Sequence, residues 1–193
     1  DTLRQQVLLC DGAMGSRVQA MDLDVTRDYD GQENCTEILN RTRPDIVRKI
    51  HTGYFEAGAD MVETNSFGGA RLTLGEFGLQ DETFALNKRA GELAREALEQ
   101  FKGDGRQRFV IGSVGPGTKL PSLGHVPYQT AEDSFTEQCR GLIVGGVDAV
   151  LVETGQDPLN MKAAINGAKI ARLAAGADIP ILAQVTVETT GTL

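Results

Sequence analysis

The stretch Gly58-Ala59-Asp60-Met61-Val62-Glu63-Thr64 decides the fold class, because it recurs in kind along the chain. Gly146-Val147-Asp148 leads through an apolar run to Val152-Glu153-Thr154, and Gly176-Ala177-Asp178 leads through another to Val187-Glu188-Thr189. Each glycine closes a stretch of helical period, each apolar run has strand length, and a carboxylate stands at or near each strand exit. A chain that repeats helix stop, buried strand and polar exit reads as βα units around a parallel sheet.

Working outward, five strands are expected, near Val7–Cys10, Asp60–Glu63, Phe109–Val114, Ala149–Glu153 and Ile181–Val187. The intervening helices carry their own signals. Pro44 sits at a first helical position ahead of Ile46, Val47, Ile50 and Phe55, with Gly58 as the stop. Ala90, Leu93, Ala94, Ala97, Leu98 and Phe101 form a buried stripe on a helix from about Asp81 to Lys102. Thr130 and Asp133 are read as a capping box for a helix that turns Phe135, Cys139, Leu142 and Ile143 inward, and Asp157-Pro158 opens the next. The pattern fits either a (β/α)8 barrel or a doubly wound open sheet, since both gather ligands at strand C-termini. Units take roughly forty residues each, so a barrel of eight would need on the order of 300 residues, and this stretch of 193 would hold about five units.

Composition narrows the partners. With 40% hydrophobic residues the chain can build a core, and a net charge of −8 repels nucleic-acid backbones and anionic membrane surfaces. No apolar run reaches membrane-spanning length and no leader pattern opens the chain, so a cytoplasmic setting is expected. Cys10, Cys35 and Cys139 are too far apart for a disulfide framework or a close-spaced metal motif and read as reduced packing thiols. His51 on a helix and His125 in a loop lack ligand-spaced companions.

Three loops could carry chemistry. Asp11-Gly12-Ala13-Met14-Gly15 follows the first strand, where backbone amides could meet a ligand carboxylate while Asp11 opposes an ammonium group. Taken alone, Asp-Gly after a strand is also a plain turn. Glu63-Thr64-Asn65-Ser66-Phe67-Gly68-Gly69 is a polar strand exit whose glycines allow close backbone approach. Gly112-Ser113-Val114-Gly115-Pro116-Gly117-Thr118-Lys119 lacks P-loop spacing and contains a proline, so nucleotide binding is rejected. No Gly-x-Ser-x-Gly nucleophile elbow occurs.

In their order and spacing these loops resemble the homocysteine S-methyltransferase family, most closely the N-terminal module of the cobalamin-dependent methionine synthases. The likeness runs through Leu9–Gly15, Glu33–Asn40, Thr42–Asp45, Ala59–Phe67, Gly112–Pro116, Val152–Thr154 and Gln184–Thr192. It implies that residues 1–193 are the N-terminal part of a homocysteine-binding (β/α)8 barrel. It further implies a methyltransferase that makes methionine from L-homocysteine and methylcobalamin recharged by methyltetrahydrofolate. Carried over, Asp11, Gly12, Ala13, Met14 and Gly15 hold the amino-acid end of homocysteine, and Glu153 meets its ammonium. Asn65, Ser66 and Phe67 line the pocket, with Thr186 and Glu188 as further wall positions.

The family's zinc is held by three cysteine thiolates from later strands, so zinc and cobalamin are implied for the longer protein and neither is expected to be fully held by this chain. The implied partners are L-homocysteine and downstream folate- and cobalamin-binding modules. Gly155 stands where close relatives often show Cys. Alternatives are a free-standing methyltransferase using betaine or S-methylmethionine, and a non-catalytic binding fragment.

Overall fold

The computed structural model describes residues 2–187 together with Thr189 and Gly191. Helices α1 (Met14–Gln19), α2 (Leu39–Thr42) and α3 (Pro44–Glu56) lead to strand β1 (Met61–Glu63). The short α4 (Arg71–Leu74) and long α5 (Thr83–Glu99) lead to β2 (Phe109–Val114), α6 (Tyr128–Val144) to β3 (Ala149–Gly155), and α7 (Pro158–Ala174) to β4 (Ile181–Val185). All described strand pairs are parallel and the spatial order is β1-β2-β3-β4. A doubly wound sheet reverses its order at a switch point, whereas a barrel adds strands in sequence, so the order selects the barrel architecture. Among the described residues no helix is long and apolar enough to cross a membrane.

The repeated Gly-x-Asp has a structural reason. Gly58 and Gly146 adopt φ of 103° and 89°, a backbone that ends a helix at no side-chain cost. The Asp two residues on then brackets the neighbouring strand. Asp60 donates its amide to Leu9 O at 2.8 Å and accepts the Leu9 N–H on Oδ2 at 2.9 Å. Asp148 repeats this with Val110, at 2.7 and 2.8 Å.

The same device corrects the first expected strand. Val7–Cys10 forms a single bridge, Cys10 to Met61, rather than a ladder. On one side the Leu9 amide is taken by the Asp60 carboxylate, and on the other the Glu63 amide is taken by Asp11 Oδ2 at 3.0 Å. Both amides that would extend the ladder therefore bond to side chains. Val7 is 95% exposed, so burial does not draw that residue into the sheet either.

The expected capping box is also corrected. The helix begins at Tyr128, with Pro127 at the N-cap and no side-chain cap, so Thr130 lies inside it. Asp133 Oδ1 accepts from Gln129 Nε2 within the same helix instead of capping it. Asp157-Pro158 does open α7 as read, with Asp157 Oδ1 accepting the Asn160 amide at 2.7 Å. The fifth expected strand stops at Val185, and Glu188 lies outside the described residues.

Helices α3, α5, α6 and α7 cover one face of the sheet. The outward row Val62, Val110, Val114, Val150 and Val152 packs with Phe135, Cys139, Leu142, Ala164 and Ala168 to form the main core. Burying each such side chain contributes about 1.5–3 kcal/mol. His51 on α3 is 0% exposed, and neither ring nitrogen has a hydrogen-bond partner. Burial holds its imidazole neutral, down at about 4.

Above pH 6.5 both folded and unfolded states hold His51 neutral, and between 6.5 and 4 only the unfolded state takes a proton, so stability falls as pH drops through that window. A shift of this size corresponds to about 3 kcal/mol. His51→Leu is expected to raise the urea midpoint at pH 7 and to widen its advantage over the parent at pH 5. Parallel stability curves for the two proteins between pH 7 and 5 would disprove this account.

Candidate functional site

Strand alternation builds the floor of the site. With the valines above turned to the helices, Glu63 of β1, Ser113 of β2 and Glu153 of β3 face the opposite side at the C-terminal ends of their strands. Lower on the same face, Leu8, Met61, Phe109, Ile111, Ala149 and Leu182 surround an apolar hollow. The polar end opens into a cleft of about 590 Å³.

Of the eleven residues expected at the site, nine border this cleft. Gly12, Ala13, Met14 and Gly15 form one wall, where α1 begins after Ala13, and Asp11 stands at its foot on the floor beside Glu63. Asn65, Ser66 and Phe67 belong to the wall after β1, and Glu153 lies on the floor. Thr186 does not reach it; its amide donates to Gly155 O at 2.8 Å.

The floor is acidic. Ser113 Oγ donates to Glu153 Oε1 at 2.6 Å, and the Cys10 thiol lies 3.5 Å from Asp11 Oδ1 and 3.6 Å from Glu63 Oε1. Burial lifts the Asp11 carboxyl to about 6. Burial together with the Glu153 and Asp11 charges lifts Glu63 to about 7. Burial and the Glu63 charge push the Cys10 thiol far above the ordinary thiol range. Among the described residues no Lys or Arg forms an ion pair with Asp11, Glu63 or Glu153. All three cysteines are free thiols; Cys35 and Cys139 are buried, whereas Cys10 is half-buried beside the cleft, turned inward by its pairing with Met61.

The wall after β1 is held from behind by three side-chain amides. Asn40 of α2 donates to Asn65 O at 2.8 Å, Gln138 of α6 to Ser66 O at 2.7 Å, and Asn87 of α5 to Gly69 O at 2.7 Å. Glu37, buried in a 3-10 turn, accepts the Gly68 amide at 2.6 Å. The side chains of Asn65 and Ser66 are themselves engaged inside the protein. Asn65 Nδ2 donates to Thr36 O at 2.7 Å, and Ser66 Oγ donates to Ser113 O at 2.8 Å. These residues shape the wall through their backbone. Phe67 is 45% exposed at the lip, and a Cβ at Gly115 would stand 2.7 Å from its ring.

Glu63, which opens the second candidate loop, was given no role of its own, and Ser113 and Glu37 were not expected at the site. Glu63 was signalled by the same Val-Glu-Thr echo that marks Glu153; Ser113 lay in the rejected phosphate-like loop. Glu37 had no local signal, because only tertiary packing brings it under Gly68.

A family model described as Homocysteine S-methyltransferase matches residues 8–193. The chain belongs to the homocysteine S-methyltransferase family. It is 49% identical over 193 residues to a methionine synthase of Mycobacterium tuberculosis, and 48% to one of Mycobacterium leprae. Each match covers all of this chain but 16% of the relative's length.

The homocysteine methyltransferase MmuM from Escherichia coli superposes with a TM-score of 0.72 in its oxidised and metallated forms, at 21% identity. The oxidised form matches 93% of this chain and 63% of that one, and the metallated form 94% and 64%. At that identity the likeness is one of fold, and this chain covers part of the barrel.

The three thiols of this chain do not fit the zinc that the family resemblance implies. Cys35 and Cys139 lie in separate apolar clusters, and Cys10 lies against Asp11 and Glu63 without lining the cleft itself. Ligand atoms of Cys10, Asp11 and Glu63 lie within 4.8 Å of one another, but they comprise one thiol and two carboxylates bonded among themselves rather than three thiolates.

Gly115→Ala is expected to displace the Phe67 ring and to cost about 1–3 kcal/mol. Denaturant unfolding checks this, with Gly124→Ala, whose Cβ meets nothing within 4 Å, as the strained-backbone comparison. A Gly115→Ala protein as stable as the parent would show that the ring does not depend on the missing Cβ.

Proposed function

We propose that the cleft binds L-homocysteine by its amino-acid end, and that the chain is the substrate-binding part of a methyltransferase that forms methionine. One observation carries this reading: Asp11 and Glu153, far apart in sequence, meet on the floor of one cleft with no Lys or Arg ion-paired to either among the described residues. Carboxylates gathered without a basic partner complement an ammonium group, and first-turn helix amides, which lack intrahelical acceptors, complement a carboxylate. The wall Gly12, Ala13, Met14 and Gly15 places such amides at the opening of α1. With the amino-acid end on the floor, the thiol end faces the mouth. Asn65, Ser66 and Phe67 bound the space through backbone and ring.

Identity near one half to two methionine synthases supports methionine formation with methylcobalamin as donor, recharged by methyltetrahydrofolate. The cobalamin- and folate-binding modules and the zinc thiolates then belong to other parts of a longer protein. Held there, zinc would supply thiolate character to a substrate sulfur at neutral pH. The likeness to MmuM is of fold alone, so it lends no comparable weight to a donor such as S-methylmethionine. Three unpaired cysteines agree with a reducing, cytoplasmic setting.

Titration calorimetry of the chain with L-homocysteine tests the reading. Asp11→Asn and Glu153→Gln are each expected to weaken binding at least about tenfold, or about 1.4 kcal/mol. The same ligand lacking its amino group should bind the parent no better than it binds either variant. Equal affinity of parent and both variants would defeat the assignment.

A further inference from the structure

Two carboxylates suffice to oppose one ammonium, yet the floor holds three. Glu63 projects from β1 beside Cys10 and Asp11, with Oε1 3.6 Å from the Cys10 thiol, and its side chain borders the same cleft as Glu153. Its backbone amide is fixed by Asp11 Oδ2 at 3.0 Å, so Glu63 and Asp11 cannot drift apart without breaking the junction between the first segment and β1. The groups that act on its charge are Asp11 and Cys10 from the first segment and Glu153 from β3. Asp11 and Glu153 are acidic and favour the protonated carboxyl, the neutral Cys10 thiol opposes them only with a weak hydrogen bond, and none of the three carries a positive charge that could neutralise a Glu63 carboxylate.

Ligand atoms of Asp11 and Glu63 lie within 4.8 Å of each other, so the carboxyl groups of the empty cleft repel one another when ionised and one of them holds its proton up to about neutral pH. An arriving cation removes the cause of that retention. We propose that Glu63 is a third member of the amino-acid site that gives up its proton when a primary ammonium enters, making the site specific for a cationic amino group. The inference rests on the reading of the cleft as an ammonium site. The step is a simple exchange: the Glu63 O–H bond breaks, its proton leaves to solvent, and the substrate keeps all of its ammonium protons.

The consequence is a site whose affinity for the amino acid depends on pH near neutrality. Asp11 is held at about 6 and Glu63 at about 7, so at pH 7 Asp11 is mostly ionised and the proton still present is chiefly that of Glu63. As pH falls below 7, ligand affinity should decline by up to about tenfold per unit as that proton must be displaced.

Titration calorimetry of the full chain at pH 7, in two buffers of different ionisation heat, reads the proton count directly. L-methionine is used beside L-homocysteine because it has no thiol to ionise. Release of about half a proton is expected with both ligands, falling to near zero in Glu63→Gln, whose affinity should be flat from pH 7 to 8. Release that persists undiminished in Glu63→Gln, or is absent from the parent, overturns the proposal.

A second measurement needs no ligand and no variant: the Glu63 carboxyl carbon, followed by NMR in the empty protein, is expected to titrate near pH 7. A carboxylate already ionised at pH 5.5 overturns the proposal whatever binds. Failure of the underlying reading is separate, since it shows as unchanged affinity in Asp11→Asn and Glu153→Gln.

Discussion

The two-residue alternation of the parallel strands is the constraint on which the rest depends. Val62, Val110, Val114, Val150 and Val152 are committed to the helix layer by the burial of apolar surface, and this leaves Glu63, Ser113 and Glu153 no choice but the opposite face. A register slip of one residue would expose the valines and bury the carboxylates, so the core and the cleft floor are fixed by the same interaction. The acidic character of the floor is thus guaranteed by hydrophobic packing on the other side of the sheet.

Polar groups then set the fine geometry. The ladder between the first segment and β1 is cut short by two aspartates, Asp60 below the Cys10–Met61 bridge and Asp11 above it. Asp11 is therefore at once a structural acceptor and a cleft group, which explains why its carboxyl stays near Glu63 despite their like charge. On the other wall, Asn40, Gln138 and Asn87 satisfy backbone carbonyls that would otherwise be buried unpaired, at a cost of about 1–3 kcal/mol each. Fixing the carbonyls from behind holds the loop after β1 in one conformation and lets Phe67 stand at the lip over Gly115. The same arrangement explains why Asn65 and Ser66, polar residues at a strand exit, border the cleft without offering it their side chains.

Much of this was legible in the chain itself. The Gly-x-Asp and Val-Glu-Thr echoes placed β1, β3 and the helix ends, because turn chemistry and alternation are local properties, and nine of the eleven residues read as site candidates border one cleft. Two expectations failed for different reasons. Val7–Cys10 has strand character, but distant carboxylates claim the Leu9 amide and the facing Glu63 amide, whereas Thr130-Asp133 has the form of a cap but the nearby Pro127 starts the helix first.

Sequence alone determined the βα repeat, the helix boundaries marked by Pro44, Pro158 and Gly58, and the family to which the loops belong, since each follows from residues near one another in the chain. Only the tertiary structure decided between a barrel and a doubly wound sheet, because strand order is a relation between distant segments. It alone also placed Glu63 with Asp11 and Glu153, put Glu37 under Gly68, and set Cys10 against Asp11 and Glu63 while leaving Cys139 in the core. Burial and electrostatic coupling depend on distances through space, and spacing along the chain does not encode them.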